Sequence, residues 1–221
     1  MTGPRLDREV IAMRVANELA DGDYVNLGIG MPTLVSQFVP EGRTVIYHSE
    51  SGVLNYGPLA AESEADVDLI NASAQFLLPV PGMAFFNAAE AFAMIRGGYI
   101  DVSVLGAFQV SERGDLANWM LSTRSAGNIG GAMDLAAGAK RMIVAMEHTD
   151  AQGSPQVVRR CSLPLTGRGC VSLIVTDAAV IEVTPAGLLL KEVAPGWTAD
   201  DVQEITEPTL RIDAGLREIA L

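Results

Sequence analysis

A chain of 221 residues, 49% of them hydrophobic, is long enough to bury the core of one compact domain, and we assign residues 1–221 to a single domain. Its formal charge of −12 argues against non-specific nucleic-acid binding, which requires clustered Lys and Arg side chains. No apolar run approaches membrane-spanning length, so we expect no membrane contact.

The two cysteines and the two histidines do not suggest a metal site. Cys161 and Cys170 do not follow a metal-ligand spacing, and His48 and His148 are isolated in the sequence. No signal peptide follows Met1, so we expect reduced thiols in a cytoplasmic protein. We therefore predict that the protein binds no metal.

A glycine loop follows the first predicted strand. Residues 24–27 are typical of a short strand, which leads into a glycine turn at residues 28–33 where Pro32 is placed to open a helix. A strand, a glycine loop and a helix in this order bring helix-start N–H groups towards an anionic ligand, so Gly28 and Gly30 are candidate ligand contacts. A turn required only for tight packing is an equal alternative, because the third glycine of the dinucleotide fingerprint is missing.

A carboxylate follows the next predicted strand. Residues 44–47 are β-branched and aromatic, as in a buried strand, and Gly52, Gly57 and Pro58 predict a loop after it. Glu50 is thus placed where a strand ends and a turn begins, which is where reacting groups of α/β proteins usually lie. On local sequence alone, a solvated loop acid stays open as the alternative.

The other predicted elements alternate between helix and strand. Asn87 and Thr198 are candidate N-caps of two helices. Residues 109–119 are polar and aperiodic, so we expect a long loop of the kind that is commonly functional. Further helices are predicted over residues 6–19 and 132–139, strands over 69–71, 76–78, 101–107, 141–146, 172–176, 180–184 and 188–190, and a hinge-like stretch over 150–155. This alternation predicts an α/β fold with a largely parallel sheet.

Several long motifs resemble those of one protein family. They follow one another in the expected order along nearly the whole chain, and they are Tyr24–Thr33, Phe92–Gly98, Leu105–Glu112, Gly114–Trp119, Gly130–Leu135, Met146–Thr149 and Cys161–Gly167. On these motifs the chain is similar to the B (β) subunit of family I CoA-transferases, of the 3-oxoacid and 3-oxoadipate type. The resemblance implies a single open-sheet α/β/α domain of the CoA-transferase type, with mostly parallel strands and extra strands towards the C-terminus.

The resemblance also implies which residues react. Ser49–Gly52 falls where the family carries its Ser-Glu-Asn-Gly signature, so Glu50 corresponds to the family's nucleophile. Gly131 corresponds to a backbone N–H donor to the oxyanion, and Asn26 to an active-site asparagine that we expect next to Glu50. The candidate substrate or CoA contacts are Gly28, Gly30, Ser49, Ser51, Gly52, Asn55, Tyr56, Arg124 and Gly130.

The family's reaction moves CoA between two carboxylates. The resemblance implies that the Glu50 carboxylate attacks an acyl-CoA thioester, and that the CoA thiolate then returns to the resulting anhydride to form an enzyme–CoA thioester. Such covalent catalysis gives ping-pong kinetics. It implies no metal and no redox cofactor, because coenzyme A is itself a substrate.

Three departures from the family pattern lie around the predicted site. Ser51 replaces the usual Asn, Asn55-Tyr56 stands where small or apolar residues are usual, and Leu121–Asn128 replaces an Ile-Pro-Gly-Lys segment with the basic run after it. Arg124 is a candidate replacement for the missing Lys as an anion contact. We expect these changes to affect the substrate more than the reaction, and a larger or more polar acyl group than acetoacetyl is the resulting hypothesis.

The resemblance implies a partner and leaves two other functions open. The family's A-type (α) subunit supplies a second glycine-rich CoA loop, so a heterodimer or an α2β2 tetramer is expected. One alternative is hydrolysis or ring-opening of a CoA ester on the same fold, with water as the acceptor. The other is a non-catalytic assembly subunit, which the intact motifs around Glu50 and Gly131 disfavour.

Overall fold

The computed structural model describes residues 3–121 and 126–220. Its helices are α1 (Arg8–Ala16), α2 (Ala88–Arg96), α3 (Ala132–Gly138) and α4 (Ala199–Glu204), with 3₁₀-helices at Met31–Gln37 and Glu62–Glu64. Its strands are β1 (Tyr24–Leu27), β2 (Ile46–Ser49), β3 (Val53–Leu54), β4 (Ala84–Phe85), β5 (Val102–Leu105), β6 (Gln109–Ser111), β7 (Leu116–Ala117), β8 (Arg141–Met146), β9 (Val157–Val158), β10 (Val171–Thr176), β11 (Ala179–Thr184), β12 (Gly187–Val193) and β13 (Arg211–Glu218). No helix in these two ranges is long and apolar enough to cross a membrane.

One ten-stranded sheet, in the order β13-β12-β11-β10-β8-β5-β1-β2-β3-β4, forms the middle of the molecule. Its central strands β2, β1, β5, β8 and β10 run parallel, whereas β3, β4, β11 and β12 join through antiparallel pairings. β5 and most of β8 are buried on both faces. Such burial is usual for parallel strands, because their crossover connections place helices on both faces of the sheet. The predicted α/β fold with extra C-terminal strands is therefore confirmed.

Two apolar layers cover the two faces of this sheet. On one face α1 contributes Ile11 and Val15, which pack with strand residues that include Val25. On the other face α2 and α3 contribute Ile95 and Leu135 to a separate buried cluster. Helices therefore cover the sheet on both sides, and the strand ends are left to form the functional edge.

The two predicted N-caps are observed as complete capping boxes. The Asn87 side chain accepts a hydrogen bond from the backbone N–H of Glu90, whose carboxylate accepts one from the Asn87 N–H. Thr198 and Asp201 repeat the arrangement at the start of α4. Each box satisfies two backbone donors that the helix start leaves free, which explains why both helices begin where the sequence predicts.

The segment after the glycine loop and the two short strands beyond Glu50 differ from prediction. Residues 31–37 form a 3₁₀-helix, in which the Gly30 carbonyl accepts the Thr33 N–H at 3.1 Å. Residues 69–71 and 76–78 make only isolated bridges, such as Ile70 with Phe76. The Asn71 carboxamide closes a tight turn between them and leaves no length for a ladder.

The predicted polar loop at residues 109–119 is wrong. It is a hairpin of β6 and β7, and β6 also pairs with β9 in a second sheet of three strands. Val110 and Leu116 are fully buried in it, but two apolar residues are too few to produce a visible period.

Two further segments were not anticipated correctly. β13 was missed because its side chains are mostly exposed and charged, and it is recognisable only through its pairing with β12. The hinge-like stretch at 150–155 is a closed turn, in which the Asp150 carboxylate accepts the N–H groups of Gln152 and Ser154.

Candidate active site

A cavity of about 750 Å³ lies at the carboxyl ends of β1, β2 and β5. Ligands of open α/β sheets bind at this edge, because strand ends and helix starts meet there. The wall is formed by Gly28, Ile29, Glu50, Ser51, Ile70, Asn71, Ala72, Ala74, Leu105, Gly106, Ala107, Phe108, Asn118, Trp119, Asn128, Ile129, Gly130, Gly131, Ala132 and Leu135.

Glu50 is the first residue after β2 and is half-buried in the cavity wall. The turn that carries it is closed by the Gly52 N–H, which donates to the Ser49 carbonyl at 3.0 Å. The hydroxyl groups of Ser49 and Ser51, the residues before and after Glu50 in the sequence, lie 2.8 Å apart. The predicted position of Glu50 at a strand end is observed, with β3 following the turn where a loop was expected.

The N-terminus of α3 faces Glu50 across the cavity. Gly131 is the N-cap of this helix, and a Cβ atom built on it would lie 3.2 Å from Glu50 Oε1 and 3.0 Å from the Phe92 ring. The Glu50 carboxylate and the Phe92 ring therefore occupy the space that a side chain at position 131 would need. Gly130 also lines the cavity, and its φ of +49° suits a residue without a side chain.

The glycine loop after β1 forms the next part of the wall. The Gly28 N–H donates to the Val104 carbonyl at 2.8 Å, and a Cβ atom on Gly28 would lie 2.8 Å from Leu105 Cδ2. Thr33 fixes the other side of the loop through a hydrogen bond from its hydroxyl to the Gly28 carbonyl. The packing explanation for Gly28 is thus correct, and Gly28 also lines the cavity, whereas Gly30 does not line it.

These features agree with the comparison of the sequence with known families. The family model for coenzyme A transferase matches residues 8–204. The chain belongs to the coenzyme A transferase family.

Its similarity to individual members is high along almost its whole length. This CoA-transferase is 48% identical over 205 residues to the B subunit of succinyl-CoA:3-ketoacid coenzyme A transferase of Helicobacter pylori, covering 93% of this chain and 99% of that one. It is 44% identical over 215 residues to the B subunit of 3-oxoadipate CoA-transferase of Acinetobacter baylyi, covering 97% and 99%. The chain is accordingly a B-type member of the family.

The fold is shared with a solved acyl-CoA transferase of Escherichia coli O157:H7. The TM-score is 0.76 at 19% identity, over 100% of this chain and 44% of that one. The present CoA-transferase chain thus spans less than half of that longer chain, and the likeness shows the common fold alone.

In this CoA-transferase Asn26 lies behind Glu50 in a fully buried pair with His48. Its side-chain nitrogen is 3.1 Å from His48 Nδ1 and donates to the His48 carbonyl at 3.3 Å. Burial lowers the pKa of His48, although the Glu50 carboxylate acts in the opposite direction. Asn26, expected next to Glu50, thus pairs with His48, which precedes Glu50 by two residues, and it does not line the cavity.

Asn55 and Tyr56, predicted as substrate contacts, do not line the cavity. Asn55 adopts a φ of +57° and donates from its amide to the Pro81 carbonyl. Tyr56 is buried and stacks on Tyr47 with ring centroids 5.3 Å apart. Burial raises the pKa of Tyr56, with smaller contributions from Tyr47 and Glu50, so its phenol is neutral beside the β2–β3 hairpin.

The segment Ile70–Ala74 covers the cavity and was not predicted to do so. The Ser51 hydroxyl contacts the Ile70 carbonyl at 3.4 Å, and the Ser73 hydroxyl lies 2.6 Å from that of Thr33. The segment therefore joins the Glu50 turn to the glycine loop. Ala74 in this segment has a φ of +58°, a strained value for a non-glycine residue that often marks a functional site. The sequence does not reveal this backbone conformation.

Of the other predicted contacts, some line the cavity and others hold the Glu50 turn in place. Ser51 lines the cavity, whereas Ser49 and Gly52 hold the turn behind it. Arg124 lies outside the described residues. Phe108, Asn118 and Trp119 also line the cavity, although the sequence analysis named none of them as site residues.

Proposed function

We propose that this chain is the B-type half of an acyl-CoA:carboxylate CoA-transferase in which Glu50 is the covalent nucleophile. The observation that carries the proposal is that the Glu50 carboxylate lies beside the N-terminus of α3, in the space that a side chain on Gly131 would need, and lines a cavity of about 750 Å³. A carboxylate facing a helix start is suited to a reaction in which negative charge appears on a neighbouring oxygen.

The reaction divides into two half-reactions. A Glu50 oxygen attacks the thioester carbonyl, a C–O bond forms, the C–S bond breaks, and CoA leaves as a thiolate. The thiolate then attacks the Glu50 carbonyl of the mixed anhydride, which releases the donor acid as a carboxylate and leaves a glutamyl-CoA thioester. The acceptor carboxylate regains CoA by the same steps in reverse, which is ping-pong chemistry.

The surroundings of Glu50 support this role. The residue is half-buried, so part of its hydration shell is replaced by the cavity wall. The Gly131 N–H at the start of α3 would donate to the oxyanion of each tetrahedral intermediate, where a donor of this kind contributes about 3 kcal/mol. The neutral His48 and Tyr56 add no positive charge that would hold the carboxylate in an ion pair.

An A-type partner completes the proposed enzyme. Both relatives compared with this chain are themselves B subunits by name, and the solved acyl-CoA transferase with this fold is more than twice as long as this chain. We propose assembly as a heterodimer or an α2β2 tetramer, with CoA as a substrate and no other cofactor. The names of the relatives favour a 3-oxoacid as one of the two exchanged acids.

The test is the Glu50→Gln variant, assembled with the A-type partner. CoA exchange should fall by at least about a thousandfold, because an amide oxygen cannot serve as the nucleophile. The wild-type enzyme given acyl-CoA without an acceptor acid should carry CoA on the peptide that contains Glu50, as seen by mass spectrometry. Glu62→Gln, at an exposed acid in a 3₁₀-helix, is the matched control and should retain full exchange.

An unmodified Glu50 peptide in an active enzyme would contradict the covalent mechanism. Release of CoA at the same rate with and without an acceptor acid would instead indicate acyl-CoA hydrolysis, the alternative activity on this fold.

A further inference from the structure

Three buried polar side chains form a row across the centre of the large sheet. Asn26 in β1 is the register partner of His48 in β2 and of Ser103 in β5, and none of the three is more than 1% exposed. Their neighbours along the strands belong to the apolar cluster on the α1 face, and these are Val25, Leu27, Tyr47, Val102 and Val104. Because side chains alternate along a strand, Asn26, His48 and Ser103, which we call the polar row, face the side covered by α2 and α3.

The hydrogen bonds of Asn26 determine which ring nitrogen of His48 carries the proton. One side-chain atom of Asn26 lies 3.3 Å from the His48 carbonyl oxygen and 3.1 Å from His48 Nδ1. Because a carbonyl oxygen only accepts hydrogen bonds, this atom is the amide nitrogen, and it donates in both contacts. His48 Nδ1 is therefore an acceptor without a proton. The ring is then the neutral tautomer that carries its proton on Nε2.

The remaining polar atoms of the row are buried without a partner. Within residues 3–121 and 126–220, no hydrogen bond reaches His48 Nε2, Asn26 Oδ1 or Ser103 Oγ. The His48 ring is held instead by stacking on Phe86, with ring centroids 5.9 Å apart. Buried polar groups without partners cost stability, and native proteins commonly retain them at functional sites.

The polar row lies next to the proposed nucleophile. His48 precedes Glu50 by two residues at the end of β2, and the groups packed on its ring are Asn26 from β1, Phe86 after β4 and the backbone of Ala91 in α2. Burial lowers the pKa of His48 most strongly, whereas the Glu50 carboxylate and the Ala91 backbone act in the opposite direction. Glu50 is thus the titratable group whose charge acts on the ring. A protonated ring would attract this carboxylate and reduce its ability to attack a thioester.

We propose that His48 is a positioning residue for Glu50, and that Asn26 keeps it in the neutral Nε2–H form so that no positive charge binds the reacting carboxylate. The buried ring then fastens the end of β2 to β1 and leaves Glu50 free to react. This inference rests on the proposed CoA-transfer function and adds to it a residue that the sequence analysis did not name as a site residue. It also gives Asn26 a role that it performs through His48.

The tautomer is tested first, by nitrogen NMR of the enzyme assembled with its A-type partner. Only this chain carries isotope-labelled histidine, and because it has two histidines, the His48→Gln variant assigns the signals. We expect His48 to show an unprotonated Nδ1 and a protonated Nε2 from pH 6 to pH 8.5. A protonated Nδ1 in this range would overturn the inference, whatever the activity of the enzyme.

The second test is the Asn26→Asp variant, which replaces the donor to Nδ1 by an acceptor of the same shape. The new carboxylate favours a positively charged ring, and this form is most populated at low pH. Thioester formation on Glu50 from saturating acetoacetyl-CoA, without an acceptor, is timed by mass spectrometry at pH 6 and pH 8.5. The ratio of the rate at pH 8.5 to that at pH 6 should exceed the wild-type ratio at least tenfold.

The matched control is the double variant Asn26→Asp/His48→Gln, which keeps the new carboxylate and removes the ionisable ring. Its ratio of rates should return to the wild-type value, whereas a purely structural role of Asn26 would change the rate equally at both pH values. A wild-type ratio in Asn26→Asp contradicts the inference, and so does a raised ratio that persists in the double variant.

Failure of this inference and failure of the proposed function give different results. If wild-type Glu50 forms no thioester, the covalent function fails and the positioning role fails with it. If thioesters form but His48 carries its proton on Nδ1, the function stands and only the inference is wrong. Thermal unfolding shows whether each variant is folded, and the wild-type spectrum decides the tautomer without any variant of Asn26.

Discussion

The Glu50 carboxylate is positioned by two glycines that approach it from different elements. Gly52 closes the turn behind it, and Gly131 begins the helix in front of it. Both positions exclude a side chain, the first because φ is +107° and the second because the Phe92 ring and the carboxylate fill the space. The position of the Glu50 carboxylate therefore depends on two residues that carry no functional group.

The Gly131→Ala variant, which adds one methyl group, tests whether the absence of a side chain at this position is needed. The new methyl would lie 3.2 Å from Glu50 Oε1 and 3.0 Å from the Phe92 ring, so the carboxylate has to shift. Because even a shift of a few tenths of an ångström disturbs the alignment of a reacting group, we expect kcat/KM for CoA exchange to fall about tenfold.

The control for this variant is Gly215→Ala in β13, where the new methyl meets only the Asp213 side chain. It should leave kcat/KM unchanged. Thermal unfolding of both variants separates a local displacement from a loss of fold, and a Gly131→Ala enzyme with full activity would refute the close contact.

At the scale of elements, the β2–β3 hairpin that carries Glu50 is held to β4 and to the residue after it. The Phe86 N–H donates to the Gly52 carbonyl at 3.0 Å, and the His48 ring stacks on Phe86 at 5.9 Å. A turn held only by its own hydrogen bonds would leave the carboxylate free to move. These contacts therefore hold the hairpin, and Glu50 on it, in a fixed position.

Gly52→Ala should lower the free energy of unfolding more than Gly42→Ala, because a side chain clashes at position 52 and has open space at position 42. A Cβ atom at Gly52 would lie 2.1 Å from the Phe86 carbonyl oxygen, whereas Gly42, with a φ of +83°, has nothing within 4 Å. We expect Gly42→Ala to cost about 1–2 kcal/mol from backbone strain alone. Gly52→Ala should cost about 3–4 kcal/mol because the clash is added to the strain.

Urea unfolding of the two variants measures these costs, and exchange assays show whether the turn has moved. Gly52→Ala should lose activity along with stability, while Gly42→Ala should keep its activity. Equal costs in the two variants would show that the turn is free to rearrange.

At the scale of the whole molecule, buried ionisable groups join the C-terminal elements to the sheet. His148, at the end of β8, bonds through its ring to the hydroxyls of Thr176 and Thr206, at 2.9 and 2.8 Å. Burial lowers its pKa to about 4. Glu192 in β12 is 4% exposed and accepts hydrogen bonds from Arg14 and Arg217.

From these two buried groups we predict that the free energy of unfolding decreases in acid. A histidine titrates near pH 6.5 when unfolded and near 4 here, so the unfolded chain binds a proton first and stability falls as pH drops from about 6.5 to 4. The shift corresponds to roughly 3 kcal/mol. Burial alone would raise the pKa of Glu192, but the arginine hydrogen bonds outweigh it and lower the pKa, so a further loss follows below about pH 4.5.

Unfolding free energies measured by urea between pH 8 and 4 test this prediction. His148→Gln, whose amide can still bond to both hydroxyls, should remove the decrease in unfolding free energy between pH 6.5 and 4.5. The decrease below pH 4.5, which comes from Glu192, should remain. A wild-type free energy that stays constant from pH 7 to 4 would contradict the assignment.

Local patterns in the sequence predicted those features that depend on neighbouring residues. The capping boxes at Asn87 and Thr198, the strand before Glu50 and the alternation that defines the α/β fold all arise from contacts a few residues apart. The family motifs added Glu50 and Gly131 as candidates for the reaction. None of this shows which side chains meet in space.

Features that depend on distant contacts required the tertiary structure. The buried residues of the β6–β7 hairpin include only two large apolar side chains, Val110 and Leu116, and β13 is held in the sheet by its pairing with β12. Asn26 was placed beside Glu50, but its pairing partner in the sheet is His48, and the sheet register decides this contact. Local propensity contains no information about register or about an edge partner.

The sequence by itself determined that an acid stands at a strand end and that helices start at capped residues, since both follow from local chemistry. Only the tertiary structure brought Gly131 to that acid and placed residues of the Ile70–Ala74 segment in the wall of the same cavity. Those arrangements join residues from separate elements of the sheet, its helices and its loops. Packing between elements, which a linear pattern does not encode, therefore decides what the cavity beside Glu50 can accept.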